Sequence, residues 1–143
     1  MRGRIQDILE ITDARLISGN PEAMFSGVST DSRQLTRGEL FVALAGVNFD
    51  GHAFIDEAID RGAAGIIVMR PAESVAVPVL QVPDTLLALG DIAGGFRRRF
   101  GVRVIGITGS TGKTTVKEMA ASIMSLAGPT LKTQKNYNNL IGV

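Results

Sequence analysis

One short segment constrains this chain more than any other: Ile105-Gly106-Ile107-Thr108-Gly109-Ser110-Thr111-Gly112-Lys113-Thr114-Thr115. The almost unbroken apolar run over 102–108 has the pattern of a strand buried on both faces of a sheet. Glycines interrupt it, and beyond them Val116, Met119, Ala120 and Ile123 recur at helical spacing. Such a turn delivers the first N–H groups of a helix to a point just past a strand. Those groups lack intrahelical partners, and the helix dipole adds positive potential there. The result is an anion site suited to phosphates. Gly109 and Gly112 let the backbone close around oxygens that a Cβ would push away. Lys113 is placed to reach the outer phosphates of a nucleotide, and the Thr114 hydroxyl to ligate Mg²⁺.

The spacing departs from the general P-loop. Five residues ahead of Gly112 that loop carries a glycine, where this chain has Ile107. The segment is therefore a shorter variant, T-G-x-x-G-K-T-T. A Gly-Lys-Thr that merely caps a helix would not bring strand, glycines, lysine and paired threonines into that one order.

Upstream, Ile5, Ile8 and Leu9 predict a short opening helix, and residues 15–17 and 40–44 read as strands. Residues 51–62 read as a helix with Phe54, Ile55, Ala58 and Ile59 on one face, and 65–69 as a buried strand stopped by Pro71. Residues 77–82 read as a further strand, and Pro78 inside it argues for an edge position. From Asp84, suited to an N-cap, the stripe Leu86, Leu89, Ala93, Phe96, Phe100 predicts one helix, weakened by Gly94-Gly95. Strand and helix alternate throughout, so the fold class is α/β, with a domain boundary expected near Pro83.

The charge balance narrows the function classes. Fifteen basic and fourteen acidic residues leave a net charge of +1, no footprint for wrapping nucleic acid or lying on an anionic membrane. Arg97-Arg98-Arg99 reads as a solvated helix face. With no cysteine, thiolate nucleophiles and disulfides are excluded. The N-terminus lacks a signal-peptide pattern and no stretch has the length of a membrane helix, so a cytoplasmic protein without membrane insertion is expected.

The loop, followed by Val116-Lys117-Glu118-Met119, resembles the ATP site of the Mur ligases, close relatives of the folylpolyglutamate synthases. Two further segments carry the resemblance. Thr133-Gln134-Lys135-Asn136-Tyr137-Asn138-Asn139-Leu140-Ile141-Gly142-Val143 is similar to an asparagine-rich segment of that family. Ser29-Thr30-Asp31-Ser32-Arg33, then residues 38–44, then Asp50-Gly51-His52-Ala53-Phe54 resemble its N-terminal domain, which holds the UDP end of the substrate. Singly, each has a plainer reading: a hydroxyl-rich turn, a helix-cap or core histidine, a loop of turn formers. It is their joint order that carries the resemblance.

The resemblance implies a small N-terminal α/β domain binding a UDP-sugar-peptide over residues 1–83. It implies the beginning of a central ATP-binding domain, with a mainly parallel sheet, over 84–143. ATP and Mg²⁺ are the implied cofactors. Gly109, Ser110, Thr111, Gly112, Lys113, Thr114, Thr115, Asn136 and Asn139 are the implied ATP contacts, with Lys113 catalytic and Thr114 the metal ligand. Ser29, Thr30, Asp31, Ser32, Arg33, Asp50, Gly51 and His52 are the implied substrate contacts. The asparagine-rich segment favours the branch that joins D-alanyl-D-alanine to UDP-N-acetylmuramoyl-tripeptide in peptidoglycan synthesis, through an acyl phosphate. Family members are longer, so an N-terminal fragment, inactive alone and monomeric at full length, is expected. Another Mur or folylpolyglutamate-type ligase would share the loop. A non-catalytic nucleotide-sugar binding module also stays open, whereas the short loop with paired threonines argues against a nucleotide switch protein.

Overall fold

The computed structural model describes residues 2–46, 49–71 and 76–133. In chain order its elements are β1 (Gly3–Arg4), α1 (Ile5–Ile11), β2 (Arg15–Ser18), β3 (Met24–Phe25), β4 (Gly27–Ser29) and a 3₁₀ turn (Ser32–Gln34). There follow β5 (Glu39–Val42), β6 (Ala45–Gly46), β7 (Phe49–Asp50), a second 3₁₀ turn (Gly51–Phe54) and α2 (Ile55–Asp60). The remainder is β8 (Gly65–Val68), β9 (Val79–Gln81), α3 (Thr85–Arg99) and α4 (Lys113–Ser125). The chain divides into two compact units, residues 1–100 and 101–143.

In the first unit a five-stranded sheet has the order β2-β9-β8-β5-β4, parallel throughout except for β2. Because successive side chains alternate between faces, β5 and β8 feed two cores at once. Leu40, Val42 and Ile67 join Ile5 and Ile8 of α1 and Ala88, Ile92 and Phe96 of α3 on one face. Phe41, Ile66 and Val68 join Ile55 and Ala58 of α2 on the other. Burial on both faces explains the apolar runs in these strands. Full burial of a side chain such as Phe41, 1% exposed, contributes about 1.5–3 kcal/mol.

Expectations are corrected in three regions. The boundary near Pro83 moves to Phe100–Gly101, because α3 caps the first unit's core instead of opening the second. Asp84 does cap α3, its Oδ1 accepting from Leu86 and Leu87 N–H at 2.7 and 3.0 Å. The buried face, however, is Thr85, Ala88, Ile92, Gly95 and Phe96, turned away from the expected stripe and leaving Phe100 69% exposed. Gly95 is there for packing: a Cβ would lie 2.6 Å from Ile11 Cγ2. Second, β9 is interior. Pro78 stands just before the strand, where its carbonyl accepts from Ile66 N–H at 2.9 Å and its missing donor costs nothing.

Third, residues 102–108 are not a buried strand. Val102, Val104 and Ile105 are 54%, 64% and 61% exposed, and no described strand lies in the second unit. A strand needs a neighbour for its ladder. Residues 130–132 form no strand beside it, and Leu131 is fully open. All three arginines of the basic run are exposed, and Arg99 also pairs with Asp7 at 2.9 Å and lies over the Phe96 ring. No described helix is long and apolar enough to cross a membrane.

Candidate functional site: a carboxyl-edge cleft and a phosphate loop

Parallel strands direct ligands to the crevice beyond their carboxyl ends. Beyond β4 the chain turns sharply. Ser29 Oγ donates to Asp31 O at 3.0 Å, and Asp31 Oδ1 accepts from Arg33 N–H at 3.1 Å, capping the first 3₁₀ turn. The Arg33 guanidinium forks onto the same carboxylate, Nε to Oδ1 at 2.9 Å and Nη2 to Oδ2 at 2.8 Å. That hydrogen-bonded pairing holds the Asp31 carboxyl below its ordinary range and raises Arg33. Ser32, 4% exposed, donates through Oγ to Glu57 Oε2 at 2.7 Å.

Thr30, Asp31, Ser32 and Arg33 line a cleft of about 420 Å³ together with Phe41, Phe49 and Phe54. The rings of Phe49 and Phe54 stack with centroids 5.5 Å apart at 12°. So Thr30 to Arg33 of the first expected segment line the cleft and Ser29 does not, whereas none of Asp50, Gly51 and His52 lines it, only Phe49 and Phe54 on either side of them. Asp50, Gly51 and His52 are occupied behind the wall. Asp50 caps the second 3₁₀ turn, pairs with Arg70 and sits 2.6 Å from His52 Nδ1. The N–H of His52 and its ring hold the Asp50 carboxyl below its ordinary range. Sequence reasoning missed Phe49, Phe54 and Glu57. The signal for Phe49 was its place just before Asp-Gly-His, whereas Phe54 reads as part of a helix's apolar face and not as a cleft wall. Glu57 left only its spacing of four to Arg61, with which it pairs at 3.2 Å.

In the second unit, Gly109 and Gly112 have φ of 147° and 75°, conformations that side chains with a Cβ rarely adopt. Left-handed Gly112 is the N-cap of α4, whose first bond runs from Val116 N–H to Gly112 O at 2.9 Å. Lys113 Nζ folds back onto Gly109 O, so its ammonium stays at the loop. Ser110, Thr111, Thr114 and Thr115 are exposed around this turn. Lys117 Nζ donates to Thr133 O at 2.7 Å, and Glu118 pairs with Lys132. Asn136 and Asn139 lie outside the described residues.

A parallel-sheet unit with a carboxyl-edge cleft, followed by a lysine that directly succeeds a left-handed glycine at a helix N-terminus, defines an α/β protein with a phosphate-loop geometry. The sequence carries it further. The model of the Mur ligase family, catalytic domain, matches residues 24–97, and that of the Mur ligase middle domain matches 107–143. The chain belongs to the Mur ligase family. It is 43% identical over 141 residues to the UDP-N-acetylmuramoyl-tripeptide–D-alanyl-D-alanine ligase of Synechocystis sp., covering 97% of this chain and 31% of that protein. Among solved structures it is similar to MurF from Acinetobacter baumannii, with a TM-score of 0.92 and 37% identity over 99% of this chain and 32% of the other. It is also similar to the MurF ligase of Thermotoga maritima in complex with ADP, with a TM-score of 0.74 and 35% identity over 80% of this chain and 27% of that one. The chain thus spans about a third of the length of the proteins it matches.

Proposed function

We propose that this chain supplies the UDP-sugar cleft and the ATP loop of a ligase that joins D-alanyl-D-alanine to UDP-N-acetylmuramoyl-tripeptide. In this reading the γ-phosphoryl group of ATP passes to the terminal carboxylate of the tripeptide, leaving ADP and an acyl phosphate. The dipeptide amine attacks the acyl carbon, an amide forms and phosphate leaves. The protein must bring polyanions together and offset charge on the transferring group. Lys113 and the backbone donors of residues 109–115 would serve that end. Thr30, Asp31, Ser32 and Arg33 would seat the UDP end, and Asn136 and Asn139 would complete the nucleotide site.

No group of three or more His, Cys, Asp or Glu side chains that could hold a metal lies among the described residues. Mg²⁺ keeps few protein ligands when nucleotide phosphates supply the rest, so the Thr114 hydroxyl in the first turn of α4 fits that role. Bound there, Mg²⁺ would help neutralise phosphate charge. The same reading assigns the chain to bacterial peptidoglycan precursor synthesis in the cytoplasm, and so to cell shape and division, as part of a monomeric enzyme.

The observation that carries the proposal is left-handed Gly112 launching α4 with Lys113 held at the loop, in a chain similar along nearly its whole length to a ligase of that name. The test exchanges this chain for the matching segment of the Synechocystis relative and follows phosphate release and peptide product. Ligation that needs ATP, UDP-tripeptide and D-alanyl-D-alanine together is expected, with Lys113→Ala lowering kcat/KM at least about a hundredfold. Product formed with a free amino acid but not with the dipeptide would point to another ligase of the family. The 143-residue chain alone should show no ligation.

A further inference from the structure

We infer that His52 is a positioning residue, clamping the Phe49–Phe54 wall of the cleft onto the end of β8. The ring, with its side chain only 12% exposed, is engaged at both nitrogens. Met69 N–H lies 3.0 Å from Nε2. A backbone amide can only donate, so Nε2 carries the lone pair and Nδ1 the proton, which it gives to Asp50 Oδ1 at 2.6 Å. Neither ring nitrogen is left for a ligand, so the histidine acts through what it holds.

What it holds is the segment that builds one side of the cleft. The second 3₁₀ turn is tied to the chain after β5 by Gly51 N–H donating to Leu44 O at 2.7 Å, and to the chain after β8 by His52. The Met69 carbonyl is fixed in turn by Gln81 Nε2 at 3.2 Å. Asp50 at one end of this turn also accepts His52 N–H at 3.0 Å and pairs with Arg70. Phe49 immediately precedes the clamp and Phe54 ends it, and these are the two rings that line the cleft. Few side chains place a donor and an acceptor on opposite sides of one rigid ring, as neutral imidazole does, so alanine removes both links. Glutamine reaches as far as Nε2 and offers an amide oxygen to Met69.

The consequence for ligand rests on the reading of the cleft as the seat of a nucleoside diphosphate, and the test separates the two. In the full chain, amide exchange at Met69 and Phe54 is followed for wild type, His52→Ala and His52→Gln. Affinity for UDP is measured in parallel by calorimetry. Alanine should speed exchange at both amides and weaken UDP binding about tenfold, the scale of one lost buried hydrogen bond, and glutamine should recover most of both. Unchanged exchange in the alanine variant overturns the clamp. Faster exchange with unchanged UDP affinity also overturns it, reducing His52 to a structural bond. A wild-type chain that shows the exchange pattern yet binds no UDP keeps the clamp and removes the reading of the cleft.

Discussion

Ser32 and Glu57, 25 residues apart, share a hydrogen bond of 2.7 Å between the serine hydroxyl and the carboxylate. It ties the turn after β4 to α2, and Arg61 reinforces the tie by donating to Arg33 O at 2.9 Å. The hydroxyl of Ser32 therefore has a protein acceptor, which fixes the cleft lining from behind. Glu57→Ala leaves that nearly buried hydroxyl without its acceptor and should cost about 1–2 kcal/mol. Glu57→Gln keeps an oxygen in place and should cost less. Urea unfolding midpoints check the order, and equal losses in the two variants would mean the bond contributes nothing specific.

Arg33 presents a different case, because the arginine itself is exposed. The side chain is 78% accessible, and an exposed pair contributes little. A diphosphate arriving at the cleft can therefore take the guanidinium fork from Asp31 at small cost, gaining a bidentate, charge-assisted contact. In the exchanged ligase, Arg33→Ala should raise the KM for UDP-tripeptide about tenfold and leave that for ATP unchanged. Equal effects on both substrates, or none, would count against Arg33 as a ligand of the UDP end.

Acid should loosen the first unit through Asp7. Its Oδ2 accepts Arg4 N–H at 2.6 Å, and that bond, with further help from Arg99, holds the carboxyl below its ordinary range. A carboxyl depressed in the folded state stabilises above the unfolded value of about 3.9, and the stability is lost as pH falls through the folded value. Melting temperature should therefore drop below about pH 4, and Asp7→Asn should flatten that part of the curve. A variant with the wild-type slope would place the acid sensitivity elsewhere.

The two cores were largely legible in the sequence because strands buried on both faces must be apolar at every position, as residues 65–68 and 40–42 are. The capping of α3 was legible because Asp84 is a local device. Register around a helix is not local. The stripe is misplaced because leucines at 86 and 89 outweigh Thr85 and Gly95, and the burial of Gly95 depends on Ile11 of α1 lying against it. The same limit applied to the cleft. The hydroxyl and carboxylate turn over 29–33 was legible as a candidate, but the use of His52 as a clamp follows from Met69, which only the sheet brings beside it.

Gly95 gives a direct test of that register. A methyl group there meets three atoms of Ile11 within 2.9 Å, and a β-branched side chain packed against the core has little room to turn. Overpacking of this kind costs about 1–3 kcal/mol, against a gain of up to about 1 kcal/mol for alanine over glycine within a helix. Gly95→Ala should therefore be neutral to destabilising. Gly95→Ala with Ile11→Val should recover part of any loss, and a strongly stabilised Gly95→Ala would show that α1 and α3 are not held this close. Gly90, where an added methyl group would meet nothing within 4 Å, is the control, and Gly90→Ala should stabilise.

The second unit should behave differently from the first. Helix α4 buries no residue, and Val116, Met119 and Ile123, 51%, 61% and 65% exposed, form a stripe along one side of it. Val102, Val104, Ile105 and Leu126 are also open, and exposed apolar side chains of this kind favour association. Residues 1–100, which contain both cores, should melt cooperatively as a monomer when expressed alone. The 143-residue chain should associate as concentration rises and bind ATP weakly. Met119→Lys with Ile123→Lys should reduce that association while leaving the melt of the first unit unchanged. Sedimentation at rising concentration distinguishes the outcomes. A double variant that associates as strongly as the wild type would show that the stripe on α4 does not drive it.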